Sequence, residues 1–196
     1  MNTSTWTLLL EAHRLIPAAA EEPALDADAL EELLTVLAGD LDAKILGRSA
    51  ANYEPQGASA TLLVGALNAG ASATLHLDKS HLACHTYIDS HPSSDVTAFR
   101  ASLELSTCGD LPLVRVLQRA VTTLSPDVLS LRVYRSGLVH DASGAPGFVT
   151  CDISFPTLEG FAWRDCFSDR NGSRGLAISA HAAADSHWQA VLGQIQ

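Results

Sequence analysis

The sequence predicts an α+β fold, an antiparallel β-sheet with helices packed on one face. Three observations support this prediction. Most apolar stretches are short and separated by turn residues, which is typical of strands. One stretch, Phe99 to Leu105, alternates apolar and polar residues, and two others repeat their leucines at helical spacing. Few helices among many short strands favour a sheet covered on one side.

The totals limit both the size and the partners of the protein. The chain has 196 residues, 47% hydrophobic and 17% charged, which predicts a single globular domain over 1–196. Its formal net charge of −10 argues against nucleic acid as a partner, because binding a polyanion requires clustered Lys and Arg. The sequence shows neither a membrane-length apolar run nor a secretory signal, so we expect no membrane partner and a cytoplasmic location.

The N-terminal half is predicted to contain one helix among several strands. A first strand covers Trp6 to Ala12. Asp28 with Glu31 predicts a capping box, and the helix that follows ends at Gly39. Its buried face is formed by leucines at helical spacing, namely Leu30, Leu33, Leu34 and Leu37. Three further strands are predicted at Ala43–Leu46, Ala60–Gly65 and Ala73–Leu77.

The C-terminal half is likewise predicted to contain strands and helices. The alternation over Phe99 to Leu105 predicts a strand with one face on the core. Pro112 to Leu124 is predicted to be a second helix. Strands are expected at Val128–Tyr134 and Gly147–Ile153, and a weak helical pattern lies near Trp188.

The segment from Asp78 to Tyr87 places a hydroxyl, two imidazoles and a thiol within six residues. Three interpretations are open. The first is a polar strand end with structural histidines. The second is a metal site formed by His81, Cys84 and His85 with His76 or His91. Against it, adjacent Cys84 and His85 would point to opposite faces of a strand. The third is a self-processing serine.

The third interpretation agrees with a resemblance to a known family. Ordered blocks of residues lie at Tyr53–Ser59, Asp78–His81, His85–Tyr87, Ser90–Pro92, Phe99–Ala101 and Leu105–Gly109. In these blocks the chain resembles bacterial S-adenosylmethionine decarboxylases, and it is most similar to their larger, magnesium-dependent subclass. The similarity covers about Tyr53 to Phe155. The resemblance implies an α/β sandwich of the adenosylmethionine decarboxylase type.

The resemblance also implies self-cleavage between Lys79 and Ser80, giving fragments 1–79 (the β chain) and 80–196 (the α chain). The Ser80 hydroxyl attacks the preceding carbonyl, and Ser80 becomes a pyruvoyl group that forms a Schiff base with the substrate. His85 and Ser59 occupy the family positions that assist processing. On a straight strand, however, Ser80 and His85 face opposite sides. A bulge between them, or a neighbouring strand, would have to resolve this conflict.

Other site residues follow from the same resemblance. Cys108 occupies the position of the proton donor, a role suited to a thiol because it can act as an acid without permanent charge. The other cysteines, Cys84, Cys151 and Cys166, follow no CxxC spacing and are expected to be structural thiols. Tyr53 is the position on which adenine stacks. Asp89 replaces the glutamate that holds the ribose hydroxyls.

Three functions remain open at this stage. The first is decarboxylation of S-adenosylmethionine for spermidine biosynthesis. The second, suggested by Ile88-Asp89 where the family has Pro-Glu, is pyruvoyl-dependent decarboxylation of arginine or ornithine. The third, suggested by a C-terminus that is short beyond about Phe155 for this family, is an inactive regulatory homologue. The resemblance further implies a homo-oligomer of cleaved heterodimers with its active site near a subunit interface. Mg²⁺ is possible, although no carboxylate cluster indicates a metal site.

Overall fold

A computed structural model describes residues 5–17, 25–66, 80–90, 95–108, 111–140, 143–148, 155–169 and 172–192. The strands are β1 (Thr5–Pro17), β2 (Ala43–Tyr53), β3 (Gly57–Ala66), β4 (His81–Ser90), β5 (Val96–Thr107), β6 (Val128–Ser136), β7 (Leu138–His140), β8 (Pro146–Phe148), β9 (Phe161–Asp169) and β10 (Gly172–Ser179). The helices are α1 (Ala27–Asp40), α2 (Leu113–Leu124), α3 (Ala180–Ala184) and α4 (Ser186–Leu192).

Eight of these strands form one sheet in the order β2-β3-β4-β5-β1-β6-β10-β9. Every neighbouring pair is antiparallel. The first strand of the chain therefore lies inside the sheet, between β5 and β6. The predicted α+β class is confirmed.

The main core lies between the sheet and helix α1. Leu10 of β1 is opposite Leu103 of β5 and Leu131 of β6, and all three side chains are fully buried. Helix α1 contacts β2, β3 and β4 and turns its leucines toward them. Because strand side chains alternate between faces, the opposite face of the sheet carries the polar residues of the same strands.

Helix α1 begins two residues earlier than the capping box predicts. Asp26 is extended and its carboxylate accepts a hydrogen bond of 2.8 Å from the Ala29 amide, so Asp26 is the N-cap and the assignment to Asp28 is wrong. Asp28 lies in the first turn, where its charge complements the helix dipole. The helix also continues through Gly39 to Asp40.

Helix α2 covers Leu113 to Leu124, with Pro112 directly before it, as predicted to within one residue. Its buried residues, Val116, Leu117, Ala120 and Leu124, belong to the same core as those of α1, and the two helices are in contact.

The C-terminal helices form a second, smaller cluster on the other face. Val128 and Ile178 pack with Trp188 of α4, whereas their strand neighbours Leu129 and Ala177 belong to the main core. Alternation along β6 and β10 therefore places Trp188 against the face opposite α1. Its indole Nε1 donates to Asp127 Oδ2 at 3.1 Å.

The remaining predicted elements have mixed outcomes. The strand predicted at Ala43–Leu46 is confirmed but continues to Tyr53, and the one predicted at Ala60–Gly65 is part of β3. The strand predicted at Ala73–Leu77 lies outside the described residues, as does most of Gly147–Ile153. Strands β9 and β10 were not predicted. Across the described residues, every helix is too short or too polar to traverse a bilayer.

Candidate active site

The part of the polar segment from His81 to Tyr87 lies in strand β4, whereas Asp78 and Lys79 lie outside the described residues. Cys84 is fully buried in the core, and burial raises the pKa of its thiol to about 12. His85, the next residue, lies on the opposite face. Cys84 and His85 therefore cannot bind one ion, and the described residues bring together no group of three or more His, Cys, Asp or Glu side chains. His76 and His91, the other ligands considered for a metal site, lie outside the described residues.

On the face opposite α1, His85 lies between two serines. Its Cα is directly opposite Ser59 of β3 on one side and Ser102 of β5 on the other. Directly opposite residues of antiparallel strands have Cβ atoms about 4.5 to 5.5 Å apart. The fold thus brings together the two predicted processing residues, although they are 26 residues apart in the sequence.

Ser80 lies immediately before β4 and is fixed by hydrogen bonds from both neighbouring strands. Its carbonyl oxygen accepts from the Val64 amide at 3.2 Å. Its Oγ accepts from the Cys108 amide at 3.4 Å. Cys108 follows the last residue of β5 and has an exposed thiol. Two further predicted residues, Ser80 and Cys108, are thus neighbours, whereas Lys79 lies outside the described residues.

Within one copy of the chain, the pair of Ser59 and His85 lies far from the pair of Ser80 and Cys108. His85 is five residues along the strand from Ser80, a span of about 16 Å at strand spacing. The pairing of β4 with β5 runs without a shift from His81 to Ser90, so no bulge in that range re-aims His85. The geometric conflict noted from the sequence therefore persists within a single copy of the chain.

The two predicted substrate-binding residues lie at the His85 end. Tyr53 ends β2, pairs with Gly57 and is 56% exposed. Asp89 is opposite Ala98 near the end of β4. Tyr53 and Asp89 therefore lie even farther along the strands from Ser80 than His85 does.

The structure adds contacts that the sequence reasoning missed, one of them made by Thr5, which it did not single out. Thr5 Oγ1 lies 3.6 Å from Cys108 Sγ. His81 Nε2 lies 3.2 Å from Glu104 Oε1, on the strand beside it. These contacts come from strand register, and a single polar residue such as Thr5 carries no sequence signal that would identify it.

A second polar group lies on the same face near the Tyr53 end. Arg100 stacks on the Tyr87 ring at 4.2 Å and donates to Glu11 Oε1 at 3.2 Å. His13 lies beside this pair, and burial lowers its pKa, with Glu11 acting in the opposite direction. The alternation of charged residues in β1 and β5 gives some indication of such a face, but not of its partners.

Chemically, the two ends offer different groups. At the Ser80 end, the Ser80 hydroxyl accepts from the Cys108 amide, and the exposed Cys108 thiol lies within hydrogen-bonding reach of the Thr5 hydroxyl. The His85 end combines an imidazole with serine hydroxyls that could orient it. A nucleophile and proton donor at one end and a base at the other are the parts that serine-based self-cleavage and later proton transfer require.

Known proteins resemble the chain in sequence. It is 31% identical over 154 residues to the S-adenosylmethionine decarboxylase proenzyme of Sodalis glossinidius, covering 71% of this chain and 58% of that protein. It is 33% identical over 143 residues to the proenzyme of Photorhabdus laumondii, covering 66% and 54%. The chain thus spans little more than half the length of these relatives. No family model matches it.

Among solved structures, the crystal structure of the adenosylmethionine decarboxylase from Aquifex aeolicus aligns with a TM-score of 0.45 and 20% identity. The alignment covers 74% of this chain and all of that one. The sequence matches confirm the resemblance found in the ordered blocks: the chain is similar to the bacterial S-adenosylmethionine decarboxylase proenzymes over somewhat more than half of their length.

Proposed function

We propose that the chain is a decarboxylase that cuts itself between Lys79 and Ser80 and carries a pyruvoyl group at residue 80. Its proposed substrate is S-adenosylmethionine, and the decarboxylated product would serve spermidine biosynthesis. The observation that carries the proposal is the approach of Ser80 Oγ to the Cys108 amide, 28 residues apart, at the ends of adjacent strands. The names of the relatives give the substrate.

Processing begins with the Ser80 hydroxyl. Its oxygen attacks the Lys79 carbonyl carbon, the new C–O bond forms as the C–N bond breaks, and an ester replaces the amide. Removal of the Ser80 α-proton expels the Lys79 carboxylate, and water then releases ammonia to leave the pyruvoyl group. An amide resists this reaction without a base and a held geometry. The hydrogen bond from Val64 to the Ser80 carbonyl supplies part of that geometry.

The residues around Ser80 fit the group that it would become. Residue 80 stays anchored through its carbonyl, and the thiol of Cys108 is exposed beside it. The pyruvoyl group would supply an electron sink for the electron pair that stays on the substrate α-carbon when carbon dioxide leaves. Cys108 then delivers a proton from Sγ to the substrate carbon. The described residues contribute no cluster of three or more carboxylate, imidazole or thiol groups that would hold Mg²⁺.

A second copy of the chain is part of the proposal. In one copy, His85, Ser59 and Tyr53 lie at the far end of the strands from Ser80. A homo-oligomer in which two copies place their sheets in opposite directions would bring the His85 end of one copy to the Ser80 end of the other. This arrangement agrees with the expected active site near a subunit interface. A cytoplasmic location belongs to the same proposal.

Intact-mass measurement of the purified chain tests self-cleavage. We expect fragments 1–79 and 80–196, the second without a free amino terminus. Ser80→Ala should remain a single chain, because the nucleophile is gone. Ser49→Ala, which alters an exposed serine of β2, should be cut like the unmodified protein. An unmodified chain that stays whole after long incubation would overturn the proposal and favour an inactive homologue.

The substrate is tested by carbon dioxide release from S-adenosylmethionine, arginine and ornithine, compared side by side. We expect release from S-adenosylmethionine. The alternative substrates are suggested by Asp89, which is one methylene shorter than the glutamate of the family. Release from arginine or ornithine alone would reassign the substrate while leaving the cleavage chemistry intact.

A further inference from the structure

We propose that Thr5 is a positioning residue for the Cys108 sulfur. The proposed function supplies the role of Cys108, and the contact with Thr5 is independent of it. Trp6 of β1 is directly opposite Thr107, the last residue of β5. Continuing this antiparallel register by one residue brings Thr5 beside Cys108. The observed separation of Thr5 Oγ1 from Cys108 Sγ, 3.6 Å, is within reach of a hydrogen bond to sulfur.

This contact fixes an otherwise free side chain. Cys108 lies just beyond the end of β5 and its thiol is exposed. Among the described residues, Thr5 is the hydrogen-bond partner of the sulfur. The Cys108 amide is meanwhile bonded to Ser80 Oγ. The backbone of Cys108 is thus held toward Ser80, and Thr5 restrains the direction of its side chain.

The chemistry of the pair indicates which form of the sulfur benefits. A threonine hydroxyl is a good donor, whereas a thiol is a weak donor and a weak acceptor. A hydrogen bond to an ionised acceptor is roughly twice as strong as one between neutral groups. The Thr5 hydroxyl therefore holds the sulfur best when it is ionised, after it has given up its proton. A β-branched side chain also has few rotamers, which keeps the hydroxyl in place.

The test measures the reactivity of Cys108 and does not depend on decarboxylation. Thr5→Val keeps the shape and removes the hydroxyl, and Thr5→Ser retains it. Thr7→Val is the matched control, because Thr7 lies on the same face of β1 but opposite Ser106 and Tyr134. Alkylation by iodoacetamide is followed at one neutral pH by mass spectrometry of the peptide that contains Cys108. All variants are prepared with Ser80→Ala as well, which separates the result from cleavage.

We expect Thr5→Val to slow alkylation of Cys108 about threefold to tenfold, the effect of one hydrogen bond on a reactive thiolate. Thr5→Ser should stay within about twofold of the Ser80→Ala chain that retains Thr5, and Thr7→Val should not change the rate. An unchanged or faster rate in Thr5→Val, or a rate in Thr5→Ser as slow as in Thr5→Val, would refute the role of Thr5. If the protein neither cuts itself nor decarboxylates a substrate, the proposed function fails. The alkylation rate of Cys108 still decides whether Thr5 positions its sulfur.

Discussion

Cys84 and Cys108 are thiols on neighbouring strands with opposite surroundings. Cys84 faces the core, where burial raises the pKa of its thiol to about 12, so it is neutral at physiological pH. Cys108 is exposed at the end of β5. Because the thiolate is the reactive form, burial alone separates a structural thiol from a chemically available one.

At the scale of these residues we expect selective modification. Iodoacetamide at neutral pH should label Cys108 in the native protein and leave Cys84 unmodified, because Cys84 is both protonated and inaccessible. Peptide mapping by mass spectrometry measures both sites in one sample. Labelling in denaturant, where both thiols should react, is the control. Equal labelling of Cys84 and Cys108 in the native state would contradict the burial of Cys84.

At the scale of elements, the hairpin of β2 and β3 positions Ser59 opposite His85. The hairpin turns at Gly57, which has a φ of +132°. A Cβ added at Gly57 would lie 2.2 Å from the Thr86 carbonyl oxygen, closer than any real contact. Thr86 also ties the hairpin to β4, since its Oγ1 accepts from the Ala58 amide at 2.8 Å. Only glycine allows this close approach of the two strands.

We therefore expect Gly57→Ala to destabilise the fold by at least about 2 kcal/mol, through backbone strain and the clash with Thr86. The free energy of unfolding in urea measures the loss. The control is Gly39→Ala in helix α1, where an added Cβ meets nothing within 4 Å. Gly39→Ala should raise stability by up to about 1 kcal/mol, because alanine favours the helix. Similar effects of the two substitutions would disprove the role of Gly57.

The same elements show what the sequence could and could not predict. The alternation over Phe99 to Leu105 determines a strand locally, because one face must be buried, and β5 confirms it. The N-cap at Asp26 was missed because Asp28 with Glu31 offers a competing capping pattern. Strands β9 and β10 were missed because they are less regularly apolar and obtain their order from pairing, β10 with β6 and β9 with β10.

For the candidate site, the resemblance identified residue types and the structure gave their grouping. The structure groups the four residues into two pairs, Ser59 with His85 and Ser80 with Cys108. The spacing of these residues in the sequence does not reveal this pairing. Strand register is a long-range property, and one residue of slip would move every side chain to the other face. Thr5 depends on the same register, which is why no local pattern identified it.

At the scale of the molecule, the proposed cut divides a sheet whose strands come from both fragments. Strands β1, β2 and β3 belong to fragment 1–79, and the other strands of the sheet belong to fragment 80–196. Strand β1 pairs with β5 on one side and β6 on the other, while β3 pairs with β4. Three ladders of hydrogen bonds therefore join the two fragments, in addition to the core that α1 covers.

We expect the two fragments to remain together after cleavage. With an affinity tag on residues 1–79, fragment 80–196 should be retained in equal amount in native buffer and released only by denaturant. The Ser80→Ala chain, which cannot be cut, serves as the reference for size-exclusion elution. Separation of the fragments in native buffer would show that the ladders around β1 do not hold them.

The internal position of β1 also sets an order of events in folding. Its partners in the sheet lie between 79 residues (Pro17 to Val96) and 131 residues (Thr5 to Ser136) farther along the chain. Contacts of such high sequence separation form slowly. The centre of the sheet cannot close on a ribosome until β6 has emerged. If the bond between residues 79 and 80 broke before that, fragment 1–79 would be released before its strands had paired with those of fragment 80–196. Self-cleavage that requires the folded sheet around Ser80 avoids this loss. The cut then occurs only after the paired strands already hold the two fragments together.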